Sequence, residues 1–241
     1  MKQLGVILAG GSGSRLGELT KVTNKHLLPV GNVPMVYHPI KKLVEVGITN
    51  IMLITSTEHM GDFISLLGSG KRLGCNLTYR VQEEAGGIAQ ALSIAKSDYE
   101  DTQYIVLLAD NIFTKPLTDL ISMARISEYY AGVYIYRILD NHRFGVPEIC
   151  YDNLIVNIEE KPLSPKSGYA IPGIYFYPPD VFDVIKTLKP SARNELEITD
   201  VNNFYAKAKR LQHITLTGFW TDAGTPSSYW LANKVMNESN N

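Results

Sequence analysis

The sequence predicts an α/β protein: a Rossmann-like mixed, mainly parallel sheet with helices on both faces, and a smaller antiparallel lobe built from the second half. Three observations carry this. Short apolar runs alternate with helical patterns through the first half, and the first of these runs ends in a glycine-rich turn. The second half then changes to alternating, aromatic and β-branched segments. Strand–helix alternation is the pattern of a parallel sheet, whereas alternation within strands marks antiparallel ones with one solvated face.

Taken in order, Leu4–Ala9, Asn50–Thr55, Leu77–Val81 and Tyr104–Ala109 read as strands, mostly apolar because both faces are covered. Met35–Val46 and Ile88–Ala95 read as amphipathic helices between them, with Pro34 in the first turn of its helix and Gly47 as its C-terminal cap. Ala131–Arg137, Leu154–Ile158 and Tyr169–Tyr177 follow as strands, in which Tyr134, Tyr136, Tyr175 and Tyr177 read as packing residues. Pro179–Leu188, Glu197–Lys209 and Tyr229–Met236 read as helices. No linker or repeat interrupts the chain, so residues 1–236 read as one domain followed by a polar tail at 237–241.

Composition narrows the function classes. The chain has 241 residues, 45% hydrophobic and 20% charged, with a net charge of −1. That balance excludes a broad basic surface for nucleic acid or membrane, so an anion site must come from local placement of Lys and Arg. Cys75 and Cys150 lack metal-type spacing and read as free thiols of a reduced, cytoplasmic protein. Only Lys2 precedes the first strand, which ends in glycine after seven apolar positions and does not read as a signal peptide.

The chemistry begins at the first strand end. Gly10, Gly11 and Gly13 let backbone N–H groups converge on one object, and Arg15 and Lys25 stand beside them. A guanidinium binds phosphate oxygens in pairs and a lysine adds a point charge, so this turn reads as a polyphosphate cradle. The glycine pattern GGSGSRL lacks the third glycine of a dinucleotide fingerprint, and no GK[ST] makes it a P-loop. In sheets of this kind ligands sit beyond the carboxyl ends of the strands, where Gln82 and Asp110 also fall.

The segments GGSGSRL and NKHLLPVGNVPM resemble the signature of the sugar-1-phosphate nucleotidylyltransferases. Colinear matches continue through VQEEAGGIAQA (81–91), LLADN (107–111), RFGVPEI (143–149), IEEKPLSPKS (158–167), YAIPGIYFY (169–177), NELEITDVN (194–202) and WTDAGT (220–225). The resemblance implies dTTP and α-D-glucose 1-phosphate as substrates, dTDP-glucose and pyrophosphate as products, and a role supplying deoxysugars of the dTDP-rhamnose type and surface polysaccharides. It implies Mg²⁺ as cofactor, held by Asp110 and Asp222, and a homo-oligomer, dimer or tetramer.

Roles carry over residue by residue. Leu8, Gly10, Gly11, Gly13, Ser14, Arg15 and Lys25 are implied to hold the nucleotide, with Gln82 and Gly87 at the base and Asp110 at the phosphates. Asn111, Gly145, Glu160, Lys161, Ile171 and Gly173 are implied to hold the sugar phosphate. Arg15, Lys25, Asp110, Lys161 and Asp222 form the implied catalytic set. Residues 1–115 would be mainly the nucleotide half, and 116–236 the sugar-phosphate half. Glu195, Glu197 and Asp200 read equally as charges favoured at a helix start or as site residues.

This sequence departs from the family pattern at Ser14, where threonine is usual, at Gly17–Glu18, where a proline-containing stretch is frequent, and at His26, where glutamine is common. Gly86 replaces a frequent acid and is expected to loosen the base pocket. The expected protein is a short form without the C-terminal region that serves longer relatives as a regulatory nucleotide site. A UTP- or CTP-dependent transferase, a non-catalytic nucleotide-sugar sensor and a glycosyltransferase stand as alternatives. The last is disfavoured by the lack of a D-x-D pair near a strand end.

Overall fold

The first apolar run folds as the centre of a sheet that is covered on both sides. In the computed structural model, which describes residues 2–11, 13–97, 101–126 and 129–238, the chain begins with β1 (Lys2–Leu8) and a hairpin of β2 (Pro29–Val30) and β3 (Val33–Pro34). It runs on through α1 (Tyr37–Glu45), β4 (Asn50–Ser56), α2 (Met60–Leu67), β5 (Asn76–Gln82), α3 (Ile88–Ser93), β6 (Thr102–Leu108) and β7 (Asn111–Phe113). Next come α4 (Thr118–Ile126), β8 (Ala131–Arg137), β9 (Gly145–Ile149), β10 (Ile155–Glu160), β11 (Tyr169–Ala170) and β12 (Ile174–Tyr177). The described chain closes with α5 (Val181–Thr187), α6 (Ile198–Lys207), β13 (Leu211–Thr215), β14 (Trp220–Asp222) and α7 (Pro226–Glu238).

The main sheet has eight strands in the order β11-β8-β12-β6-β1-β4-β5, with β13 on the free side of β8. β1 pairs in parallel with β4 and β6, and β4 with β5, whereas β12 enters antiparallel between β6 and β8. Side chains alternate across a strand. Val6, Leu8, Tyr104 and Val106 accordingly pack with α3, α5 and α6 on one face, while Ile7, Ile105 and Leu107 pack with α1, α2 and α4 on the other. Both faces being buried explains why these strands read as continuous apolar runs. The exception is β5, whose outward residues Thr78 and Arg80 are exposed because it is the sheet edge.

Separate from the main sheet are the antiparallel pairs β9/β10, which is the smaller lobe, and β7/β14. A third small core, with Leu16, Val30, Ile112 and Tyr229, lies between the hairpin and α7.

Several boundaries differ from the sequence reading. α1 starts at Tyr37, because Pro34 is spent in the hairpin opposite Pro29. Its end follows the reading: Gly47 takes φ +83°, and Ile48 N–H donates to the Leu43 carbonyl at 2.9 Å. That is the bond pattern of a Schellman cap. The run Tyr169–Tyr177 breaks at Ile171–Gly173, where Ile171 bridges to Gly145; β11 before the break pairs with β8, and β12 after it pairs with both β8 and β6. Among the described residues no helix is long and apolar enough to cross a membrane, and Cys75 and Cys150 are unpaired.

Candidate active site

The site lies at the carboxyl ends of β1, β5 and β6, where two adjoining cavities open. The larger, about 420 Å³, is lined by Leu8, Gly10, Gly11, Lys25, Gln82 and Gly87, among others. The smaller, about 170 Å³, is lined by Asn111, Gly145, Glu160, Ile171, Gly173 and Asp222, among others. Arg15, Asp110, Lys161 and Arg193 border both. The residues assigned from sequence to nucleotide and to sugar phosphate therefore fall into separate cavities, with cations and the carboxylates of Asp110 and Glu195 at the seam. Two do not line either: Gly13, whose φ of +68° turns the chain over the Lys25 stem, and exposed Ser14.

Local bonding builds the phosphate end. Asn24 caps the turn that carries Lys25, accepting from the His26 N–H at 2.9 Å, and its own amide donates to the Ala9 carbonyl at the end of β1. The turn is thereby tied to the strand it must serve. Lys25 Nζ forms a buried ion pair with Asp110 Oδ2. Burial pushes the Asp110 carboxyl up, but the Lys25 charge and the hydrogen bonds from Lys25 and the Asn111 amide outweigh it and hold the carboxyl well below its ordinary range. His26 is buried, and burial followed by the neighbouring Lys25 charge lowers it from 6.5 to about 3. It is a neutral ring, and its Nδ1 lies 2.7 Å from Asn24 Oδ1, an acceptor, so Nδ1 carries the hydrogen.

The pairing of β7 with β14 brings the two predicted metal carboxylates together. Asp222 sits opposite Asn111, and Ala223 N–H donates to the Asp110 carbonyl at 2.8 Å. Gly224 marks where they converge. A Cβ there would lie 3.1 Å from Asp222 Oδ2, 3.2 Å from Arg15 Nη2 and 3.6 Å from Asp110 Oδ2. Asp222 is itself forked by Arg143, whose Nη2 donates to Oδ1 at 3.1 Å and Nη1 to Oδ2 at 3.4 Å.

Three of the assigned residues also bond or pack within the protein. Asn111 is committed to the protein: its Oδ1 accepts from Gly173 N–H at 2.9 Å and Trp220 Nε1 at 2.8 Å, and its amide donates to Asp110. Gly173 is a glycine because a Cβ would meet the Leu108 side chain at 2.5 Å, so β12 can start only here against β6. Gly87 serves packing as well as the cavity. Its φ is +94°, and a Cβ would lie 2.6 Å from the Leu196 carbonyl oxygen. Leu196 N–H donates to Gly86 O at 2.8 Å and Ala89 N–H to Leu196 O at 3.1 Å, lacing the base-side loop to the segment before α6. Gly87→Ala is therefore expected to cost about 1–3 kcal/mol in backbone strain alone, read by urea denaturation, with nucleotide affinity falling alongside. Unchanged stability would show that Gly87 serves the ligand only.

Sequence reading missed Arg143 and Arg193. Arg193 Nη2 and Nε reach Glu197 at 2.7 and 3.2 Å, and Nη2 lies 3.3 Å from Glu195 and 3.6 Å from Glu160. Glu160 also accepts from the Thr199 hydroxyl, and Lys161 Nζ lies 3.5 Å from Glu160 Oε1. Both arginines stand inside the quoted matches RFGVPEI or directly before NELEITDVN. A lone arginine in a loop carries no spacing signal, whereas the acids it pairs with were visible.

A Rossmann-like α/β sheet with a glycine-and-cation turn feeding two joined cavities defines a nucleotide-binding transferase. The chain belongs to the nucleotidyl transferase family, whose model matches residues 4–239, and within it to the glucose-1-phosphate thymidylyltransferases. The Neisseria meningitidis serogroup A protein of that name is 41% identical over 227 residues, covering 93% of this chain and 79% of its own length. That of Mycobacterium tuberculosis H37Rv is 40% identical over 224 residues, covering 92% and 77%. A Bacillus anthracis structure described as a glucose-1-phosphate thymidylyltransferase in complex with sucrose superposes with a TM-score of 0.93 at 50% identity, covering 98% of this chain and 96% of that one. UDP-glucose pyrophosphorylase complexed with UDP-glucose, with a TM-score of 0.86 at 23% identity over 99% and 100% of the two chains, shares the fold.

Proposed function

We propose that this chain converts dTTP and α-D-glucose 1-phosphate to dTDP-glucose and pyrophosphate. A phosphate oxygen of the sugar phosphate attacks the α-phosphorus, the new P–O bond forms, and the bond from α-phosphorus to the bridging oxygen breaks in line to release pyrophosphate. The observation that carries the reading is the meeting of the two cavities at Arg15, Asp110, Lys161 and Arg193. Two anionic substrates must come together at one phosphorus, so positioning and cations are the main requirement, with no side-chain nucleophile.

In this reading residues 1–115 mainly hold the nucleotide and 116–236 mainly the sugar phosphate. Arg15, with the Gly10–Gly11 backbone, grips the triphosphate, and Lys25 stabilises the departing pyrophosphate. Lys161 and Arg193 hold the sugar phosphate across the seam, and Glu160 accepts hydrogen bonds from sugar hydroxyls. Nucleotidyl transferases generally use a divalent metal. The donor set here fits Mg²⁺: two hard carboxylates converge on the space that Gly224 leaves by lacking a Cβ. Asp110 and Asp222 would hold it, and when bound it would supply charge neutralisation at the phosphates.

Gln82 presents a fixed acceptor to the base. Its amide nitrogen donates to Gly87 O at 3.3 Å and to Gln90 Oε1 at 2.7 Å, and since a backbone carbonyl only accepts, the amide orientation is fixed. The Gln82 oxygen, beside Gly10, is left to accept from a donor on the base edge, the ring N–H of thymine or uracil or the exocyclic amine of cytosine. Thymine and uracil differ by one methyl, worth about 1–3 kcal/mol in an apolar pocket.

The test is pyrophosphate release from glucose 1-phosphate with dTTP, UTP, CTP, ATP or GTP, with and without Mg²⁺. Release is expected with dTTP, more slowly with UTP, and only with metal. Release only with UTP overturns the nucleotide assignment, and none with any triphosphate favours a sensor. We extend the proposal to a cytoplasmic homo-oligomer, dimer or tetramer, which light scattering reads directly.

A further inference from the structure

We propose that Arg143 is an internal lock on Asp222: it holds this carboxylate while no substrate is bound, and it must let go before a metal can bind there. The inference rests on the metal role of Asp110 and Asp222 proposed above. Both oxygens of Asp222 accept from the Arg143 guanidinium, at 3.1 and 3.4 Å. This is not a loose surface contact. The guanidinium stacks 5.0 Å from the Phe144 ring, which packs 5.2 Å from Trp220, the residue that opens β14. Asp222 is nearly buried, with 12% of its side chain exposed against 27% for Arg143.

Charge strengthens the argument. Asp110 is already paired with Lys25, and Arg15 Nη2 borders the same Gly224 space that the two carboxylates face. Two carboxylates thus stand among three cations, and among the described residues no third His, Cys, Asp or Glu joins them as a metal-binding group. A bare divalent ion entering this space meets net positive charge at a few ångströms, where pair interactions are strong because water is scarce. A triphosphate reverses the sign. It engages Arg15 and Lys25, adds its own oxygens as donors and draws the metal in with it. Arg143, released from Asp222, then remains beside the smaller cavity as a free cation on the sugar-phosphate side. The lock makes metal binding conditional on nucleotide and keeps the carboxylates from capturing stray cations.

The experiment is Mn²⁺ binding to the full chain, read by electron paramagnetic resonance, with Arg143→Met, Arg143→Lys and the double variant Arg143→Met/Asp222→Asn. Without nucleotide the parent protein is expected to bind Mn²⁺ weakly, and Arg143→Met about tenfold or more tightly. Arg143→Lys, which keeps the charge and loses the fork, is expected to fall between them and serves if the methionine variant melts early. Adding dTTP should narrow the gap, and Asp222→Asn should abolish the gain. Equal Mn²⁺ binding by the parent and both single variants, with melting unchanged, overturns the lock alone. Absence of Mn²⁺ binding by every form even with dTTP overturns the metal reading beneath it.

Discussion

Asp110→Asn is expected to lower turnover by about 10²–10³-fold or more and to destabilise the protein by about 3–5 kcal/mol. The first figure follows from removing a charge that both cavities share at their seam. The second follows from the buried pair with Lys25, because asparagine leaves the ammonium buried without a counter-charge. The pH dependence has a definite sign. The folded-state carboxyl is held below its ordinary value of 3.8, so the unfolded chain binds the proton more readily. The stability that Asp110 contributes is therefore full above that ordinary value and is lost as pH falls below it. Urea denaturation across the acid range should show a steeper acid loss for the parent protein than for the variant. Pairing Asp110→Asn with Lys25→Met removes both charges, and it should recover much of the stability with none of the turnover. Asp222→Asn offers the control. Its partner Arg143 is partly exposed, so turnover should fall comparably while stability falls less. Near-normal turnover in Asp110→Asn would overturn its place in the catalytic set. Full stability would show that Lys25 finds another partner.

What the sequence disclosed and what it hid follow one physical division. Features repeating along the chain were legible: the apolar runs of β1, β4 and β6, the Gly47 cap of α1, and the glycine turn beside Arg15 and Lys25. Each is set by local sterics or by burial of a whole strand. Features that depend on a partner far along the chain were not. Asn111 is implied by the resemblance to hold the sugar phosphate, and nothing near it in sequence shows that its oxygen also closes bonds to Gly173 and Trp220. Gly87 was read from the ligand side, but the group nearest its missing Cβ is the Leu196 carbonyl. His26 shows in the sequence only as a departure from the family pattern, and its burial depends on its bond to Asn24 and, through Asn24, on the end of β1. The short strands β7 and β14 carry three residues each, too few to show a period, although their pairing is what joins Asp110 to Asp222.

Arg193→Gln is expected to raise the KM for glucose 1-phosphate about 10–100-fold, with a smaller effect on dTTP, matching the loss of one charge-assisted bond to phosphate. Arg193 holds three glutamates apart from mutual repulsion, with Glu197 forked at 2.7 and 3.2 Å and Glu195 and Glu160 at 3.3 and 3.6 Å. Their crowding is already felt by Asp200, whose carboxyl is pushed up by burial and then by Glu197 and Glu160. Removing Arg193 leaves Glu160 with Lys161 alone and takes from Glu195 and Glu197 the cation they share, so the variant should also lose stability, and most at high pH. The sign follows from proton binding. The Asp200 carboxyl, pushed up beside them, takes up a proton more readily in the folded than in the unfolded chain, so acidification relieves part of the repulsion and the deficit narrows. Arg193→Lys keeps the charge but not the fork that spans Glu197, and it should restore KM only in part. The two consequences separate the residue's roles. A stability loss that shrinks on acidification, with glucose 1-phosphate KM unchanged, would make Arg193 a brace for α6. A raised KM in a variant of parental stability would make it a phosphate ligand alone. The geometry, with one guanidinium lining both cavities while bound to the helix-start acids, requires both to change together.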